Sequence, residues 1–158
     1  MVGYVLLITF AVIISGIVYA WVKTYIPKES LECPDTVSVF IKNAECNGLE
    51  LNLTLTNKGN FNVAGYFIKA TTSPDQKLAT LDLSKNITSG GESFQNAIVF
   101  ELGENVFKPN QEKVNIFSLP LEIYSIEIIP VRWQEQENKK EFVSCGSAKV
   151  SEIIKCNP

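Results

Sequence analysis

The sequence predicts an α+β chain, with one long N-terminal hydrophobic α-helix followed by an antiparallel β-sandwich. Three observations predict it. Val2 to Val22 runs without a charged side chain, a period-two alternation of leucines begins at Leu49, and four cysteines bracket the first and last strands of the remainder. A chain of 158 residues holds one domain of ordinary size plus one extra element, not two full domains.

The helix comes first. In Val2 to Val22 the only aliphatic hydroxyls are Thr9 and Ser15. Twenty-one residues at 1.5 Å each span roughly 30 Å, the hydrocarbon thickness of a bilayer. The run is apolar all the way round rather than striped, so it must sit in lipid or among other apolar helices. It matches a cleavable signal peptide poorly, because nothing basic precedes Val2 and the run closes on Trp21, Val22 and Lys23 rather than on small residues. Gly3, Ala11, Ser15, Gly16 and Ala20 are small enough to let helix backbones approach. Tyr19, Trp21 and Tyr25, interleaved with Lys23 and followed by Lys28, read as the belt where a span meets water. Pro27 is expected to end the helix near Tyr25 or Ile26, because the residue before proline is pushed out of the α region. The expected divisions are a stem over 1–27, a linker over 28–32 and an extracellular domain over 33–158.

Strands follow. Leu49, Leu51, Leu53 and Leu55 alternate with Glu50, Asn52, Thr54 and Thr56, which is a strand with one buried and one wet face. Val37, Val39 and Ile41 alternate just before, and Asn47-Gly48 is the pair expected to make a two-residue type I′ hairpin turn. Further strands are expected over 63–71, 79–83, 94–101, 113–118, 122–133, 140–145 and 148–154, with Pro130 breaking its strand or placing it at an edge. Seven to nine short strands in about 125 residues, spaced by turns, indicate an antiparallel immunoglobulin-like β-sandwich.

Cys33 and Cys46 bracket the first strand, and Cys145 and Cys156 the last. A straight strand holds its ends well over 20 Å apart at about 3.3 Å per residue, whereas bridged Cα atoms lie within about 7 Å. Local pairing is therefore disfavoured, and the first and last strands are expected side by side, stapled at both ends. Antiparallel strands would pair Cys33 with Cys156 and Cys46 with Cys145; parallel strands would pair Cys33 with Cys145 and Cys46 with Cys156. A four-thiolate zinc site is the rival reading, and it lacks the paired short spacings such sites show. Disulfides imply an oxidising compartment.

Composition narrows the function. The chain has no histidine, which removes Ser-His-Asp and Cys-His catalysis and imidazole metal ligands together. All 17 acids lie after residue 28 against 12 bases there, a local charge of −5 within a whole-chain charge of −3, so no nucleic-acid partner is expected. Glu101 with Glu104 and Glu135 with Glu137 sit beside turn residues and read as solvated loop charge. Arg132 beside Trp133 reads as a core or cation–π pair, with a ligand platform as the alternative. Phe61, Tyr66 and Phe67 are a candidate adhesive patch, though strand alternation is expected to bury some of them. No calcium loop, phosphate-cradling glycine loop or nucleophile elbow occurs, so no enzymatic activity, metal or cofactor is expected. Asn52-Leu53-Thr54 and Asn86-Ile87-Thr88 are N-glycan acceptor patterns, and Asn52 falls on the outward face set by the leucines.

The stretch Val2-Gly3-Tyr4-Val5-Leu6-Leu7-Ile8-Thr9-Phe10-Ala11-Val12-Ile13-Ile14, continued by Ser15-Gly16, resembles the start of mature proteins of the archaeal type IV pilin-like superfamily, which includes archaeal pilins and archaellins. The resemblance covers about 30 residues by sequence and the rest by architecture. Val5 stands where bacterial pilins carry a glutamate. The resemblance implies a subunit that waits in the membrane, processed by a prepilin peptidase and extracted by assembly machinery into a homo-oligomeric helical filament at the cell surface. The polymerising residues are then Val2, Gly3, Tyr4, Val5, Leu6, Leu7, Ile8, Phe10, Val12, Ile13, Ile14, Gly16, Ile17, Val18, Tyr19 and Trp21. Lys23 and Lys28 follow the span, and the positive-inside rule then requires basic residues ahead of it during export, which fits processing. Surface adhesion is the expected task. The alternative is a monomeric, membrane-anchored surface protein displaying a binding sandwich.

Overall fold

A computed structural model describes residues 1–25, 31–154 and 156. The chain divides into two compact units, Met1–Ser30 and Leu31–Pro158. The first contains α1 (Val2–Tyr25), a 24-residue helix with no buried residue. The expected stop at Pro27 and residues 28–30 of the expected linker lie outside the described residues.

The second unit is built from antiparallel strands. β1 (Val39–Asn47), β2 (Glu50–Asn57), β5 (Ile87–Ser89) and β8 (Glu112–Ser118) form a first sheet in the order β1-β2-β8-β5. β3 (Gly65–Thr71), β6 (Glu92–Phe94), β7 (Ala97–Val99), β9 (Ser125–Gln136) and β10 (Lys139–Ser144) form a second in the order β10-β9-β3-β7-β6. β4 (Leu81–Asp82) adds to β3, and β11 (Val150–Ile153) adds to β9. The whole chain is thus α+β, one apolar helix followed by antiparallel sheets.

The leucine alternation sets the register of the first sheet. Leu51, Leu53 and Leu55 are fully buried, while Asn52 between them is exposed. From the second sheet Tyr66, Ile68 and Ala70 of β3 and Ile126 and Ile128 of β9 join the same core. The Tyr66 hydroxyl donates to Asn115 Oδ1 of β8 at 2.8 Å, a buried polar contact from one sheet to the other. Burial pushes the Tyr66 phenol well above its ordinary pKa, so it stays a neutral donor.

Four expectations are corrected. The β1–β2 turn is Gly48–Leu49, not Asn47-Gly48, because Asn47 still pairs with Glu50. Gly48 has φ +62° and Leu49 does not share the positive φ, the pattern of a turn with glycine first. Leu49 is therefore 52% exposed and leaves the core stripe that its neighbours keep.

Pro130 neither breaks β9 nor lies at an edge. β9 runs through it with β3 on one side and β10 and β11 on the other. Its carbonyl accepts from Cys145 N–H at 2.7 Å, at the kink where β10 ends and before β11 begins. The side of Pro130 that lacks a donor faces that kink, so the neighbouring strand is interrupted rather than the proline's own.

The expected strand over 94–101 is a hairpin instead. Gln95 and Asn96, with φ +47° and +62°, turn the chain between β6 and β7, and β5 and β6 are strands that the alternation did not mark. Between β5 and β6 the chain passes from one sheet to the other at Gly90 and Gly91. Gly90 has φ +97°, and a Cβ there would collide with the Val114 carbonyl, so glycine is required at the crossing.

The first and last strands do not pair side by side. β1 is the edge of the first sheet, and β10 with β11 is the edge of the second. The bridges are Cys33–Cys145, with Cα atoms 5.2 Å apart, and Cys46–Cys156, at 4.6 Å. This is the pairing expected for strands running the same way. Its physical basis is different, since the two bridges join the edges of two sheets and close one open side of the core.

Candidate functional site

The clearest candidate in the first unit is the surface of α1. Val2, Tyr4, Val5, Leu6, Leu7, Ile8, Phe10, Val12, Ile13, Ile14, Ile17, Val18, Tyr19 and Trp21 are each more than half exposed. Gly3 and Gly16 have open space where a side chain would stand. The sequence placed all sixteen expected polymerising residues on this one helix, and they cover its whole circumference.

The aliphatic hydroxyls on the helix bond back to its own backbone. Thr9 Oγ1 donates to the carbonyls of Val5 and Leu6, both at 2.9 Å, Ser15 Oγ to Val12 at 3.0 Å, and Thr24 Oγ1 to Ala20 and Trp21 at 3.1 and 2.8 Å. Donors satisfied this way cost little in an apolar surrounding, where an orphan would cost several kcal/mol, on the order of the general transfer penalty. At the C-terminal end Trp21 packs on Tyr25 with ring centroids 5.2 Å apart, and Lys23 Nζ lies 5.4 Å from the Tyr19 ring. The helix is long and apolar enough to cross a membrane, as an anchor or a signal sequence would be. The two disulfides suit an oxidising extracellular compartment.

Two clefts in the second unit are lined by described residues. One, of about 310 Å³, is lined by Gly103, Glu104, Asn105, Arg132, Trp133, Gln134, Glu135 and Lys140. Its floor exists because β3 begins at Gly65, opposite Val131, leaving the edge of β9 open beyond that point. The Asn105 amide fills the gap like a strand residue, accepting from Trp133 N–H and donating to Trp133 C=O, both at 2.8 Å. The other cleft, of about 430 Å³, lies on the outer face of the second sheet, with Phe67 and Ile129 among Lys69, Thr80, Asp82, Asn96, Ser144 and Gly146.

Arg132 and Trp133 are not partners. Alternation sends them to opposite faces of β9. The Arg132 guanidinium lies 5.0 Å from the Phe61 ring, and Trp133 packs on Phe142 at 4.8 Å and Phe94 at 6.0 Å, with Lys140 Nζ 5.5 Å from its ring. Arg132 Nε and Nη1 and Trp133 Nε1 are covered and meet no acceptor. Burial lowers the Arg132 pKa from its ordinary value.

The expected patch of Phe61, Tyr66 and Phe67 is dispersed. Tyr66 is core, Phe67 floors the larger cleft and Phe61 stacks on Arg132. Glu101, Glu104, Glu135 and Glu137 are exposed, and Glu137 stands in the β9–β10 turn with φ +48°.

Asn52 is exposed in the middle of β2, between Glu45 and Ile116 on the neighbouring strands. Asn86 is half-buried at the end of a 3-10 turn, Ser84–Asn86, and the Thr88 hydroxyl of its triplet donates to the Ile116 carbonyl at 3.0 Å.

The Asn57 hub was missed by sequence reasoning. Its buried amide donates to the carbonyls of Phe61 and Phe107, at 2.9 and 2.8 Å, and accepts from Gly59 N–H. It ties two loops at the end of the unit where the Arg132–Phe61 pair sits. Nothing local in the sequence distinguishes Asn57 from the other asparagines.

Fold and surface together define a coarse class: a single apolar helix carrying a disulfide-closed unit of two antiparallel sheets. The sequence matches no family model and no curated protein.

Proposed function

We propose that the protein is a structural subunit of an extracellular type IV pilus-like filament, held in the membrane by α1 before assembly and polymerised through α1 afterwards, with surface adhesion as its task. The observation that carries this reading is a 24-residue helix with no buried residue, whose serine and threonine hydroxyls bond back to their own backbone. Shielding it removes roughly 1,500 Å² from water, worth tens of kcal/mol at about 25 cal/mol/Å², so lipid or other copies must cover it. Moving from lipid to a helix bundle gains little of that, so close packing at Gly3, Ala11, Ser15, Gly16 and Ala20 and cellular machinery drive the transfer. The two-sheet unit, an immunoglobulin-like sandwich in this reading, forms the sheath, with N-linked glycans at Asn52 and Asn86. The resemblance of the N-terminal stretch to archaeal pilins and archaellins supports the same assignment, with prepilin peptidase and an assembly machine as its partners.

Negative-stain microscopy of cell-surface preparations, with antibody to the two-sheet unit, tests this directly. Labelled filaments whose subunits keep α1 are expected. Monomers in detergent with no labelled filament would sink it.

A second reading is a monomeric, membrane-anchored surface binding protein, favoured by the 430 Å³ cleft with an apolar floor and polar rim. It predicts the protein uniformly dispersed in the membrane, with ligand binding by the isolated monomer.

A further inference from the structure

The chain uses lysine thirteen times and arginine once, at Arg132. The two residue types do different work. A guanidinium stacks flat on an aromatic ring and presents a planar fork to a carboxylate, whereas an ammonium is a point charge on a flexible stem. Among the described residues, three lysines have carboxylate partners, Lys42 with Glu112, Lys139 with Glu141 and Lys149 with Glu127. The Arg132 side chain forms no ion pair among the described residues, and its covered Nε and Nη1 meet no acceptor. Glu104 and Glu135 line the same cleft, and neither pairs with it.

The single arginine is thus half-buried, stacked on Phe61, which is itself 38% exposed, and without a carboxylate partner among the described residues, beside a cleft of about 310 Å³. Packing on Phe61 alone does not explain the choice, because a lysine can also rest on an aromatic face, as Lys140 does on Trp133. A partly covered guanidinium whose Nε and Nη1 meet no acceptor gains from a carboxylate brought to it, and arginine is among the residues that most often anchor protein interfaces. A second copy offers the right chemistry, since residues after 28 carry 17 acids against 12 bases.

We propose that Arg132, stacked on Phe61, takes a carboxylate from a second copy of this chain, which makes the cleft beside it a contact between subunits. This rests on the filament reading and names a contact of the two-sheet unit that α1 does not supply.

Phenylglyoxal, which adds to guanidinium groups, tests it, because with one arginine the adduct is assigned by mass alone. Native filaments and detergent-dispersed monomer of the full chain are labelled in parallel, and the peptide holding Arg132 is followed. Labelling at least tenfold slower in filaments is expected. Equal rates in intact filaments overturn the inference and leave the filament reading standing; no filaments from wild-type protein overturn both. Slow labelling that appears only when dispersed protein meets anionic phospholipid vesicles assigns the guanidinium to a lipid headgroup and overturns the proposal. Arg132→Gln is expected to raise the critical concentration for assembly about tenfold with an unchanged melting curve, and Arg132→Lys to fall between. An unchanged critical concentration for a folded R132Q overturns it. Should R132Q not fold, the labelling arm decides alone.

Discussion

The two units of this chain solve opposite problems with the same kind of residue. In Leu31–Pro158 the aliphatic side chains that set the sheet faces turn inward, and Leu51, Leu53, Leu55, Ile68, Ile126 and Ile128 are fully buried. In α1 the aliphatic side chains all face out, and nothing in the first unit covers them. The difference teaches where each unit's stability comes from. The sheets are closed by their own core and two bridges, whereas the helix depends on what surrounds it. A perturbation of one unit should therefore leave the other unmoved, and any variant that moves both would break that independence.

The largest expected effect is on the second unit. Cys33–Cys145 and Cys46–Cys156 close loops of 112 and 110 residues. The chain-entropy model assigns each roughly 4 to 5 kcal/mol as an upper figure. Replacing Cys46 and Cys156 together by serine should lower the denaturant midpoint of the sheets by an amount approaching that. Far-ultraviolet circular dichroism in detergent should show the helical signal retained through the transition. Helix and sheets unfolding together in the double variant would break the comparison.

Ile13→Asp is the reciprocal test. A carboxylate at the middle of a span costs about 2.5 to 3.5 kcal/mol on insertion scales, and more where neighbours pack. Membrane retention and filament formation should drop sharply, measured by fractionation and pelleting, while the melting temperature of the two-sheet unit stays within a degree. A shifted melt would show that α1 supports the sheets.

Much of this contrast was legible in the sequence, because it depends on patterns that repeat. Twenty-one uncharged residues cannot be anything but lipid- or helix-facing, and Leu51, Leu53 and Leu55 betray a half-buried strand at a glance. What was not legible depends on one residue against its distant neighbours. Leu49 fits the alternation but falls in a turn because Asn47 still pairs with Glu50. Pro130 carries a local penalty that disappears because the chain it would have bonded has kinked away at Cys145. The disulfide pairing is a property of which sheet each edge strand joined, and spacing along the chain holds no information about that. The candidate surfaces divide in the same way: α1 was readable residue by residue, whereas the Phe61–Arg132 stack joins positions 71 apart in sequence and only the lone arginine hinted at it.

A smaller effect sharpens the account of the core. Tyr66→Phe removes the one donor that satisfies buried Asn115 Oδ1, in a side chain whose Nδ2 already lacks a partner. The cost should be about 1 to 3 kcal/mol, the general penalty of an unsatisfied buried group, measured as a loss of denaturation midpoint. Asn115→Leu on the same background should recover part of it by removing the orphan altogether. A Y66F variant as stable as the parent would mean water reaches Asn115 and the two sheets are less tightly closed than their burial implies.

The smallest effect lies where the chain enters the second unit. Glu141, on β10, is held below its ordinary carboxylate range chiefly by its hydrogen bond to Lys139, against the opposing effect of desolvation, with smaller contributions from that residue's charge and from the Leu31 backbone. A carboxyl whose folded pKa is depressed contributes above its unfolded pKa and loses that contribution as the pH falls through the folded value. Glu141 should therefore titrate below free glutamate by NMR, and Lys139→Ala should return it most of the way. The pair is surface-exposed, so salt should weaken the shift and the global melt should barely move. Because the Leu31 backbone also reaches Glu141, while Gln134 Nε2 donates to the Glu32 carbonyl at 2.8 Å, the first residues of this unit are tied to the β9–β10 hairpin. Protonating Glu141 should then shift the Leu31 and Glu32 amide resonances while leaving those of α1 in place. Resonances of α1 that follow the same titration curve would show that the two units communicate, and the independence on which the contrast between them depends would fail.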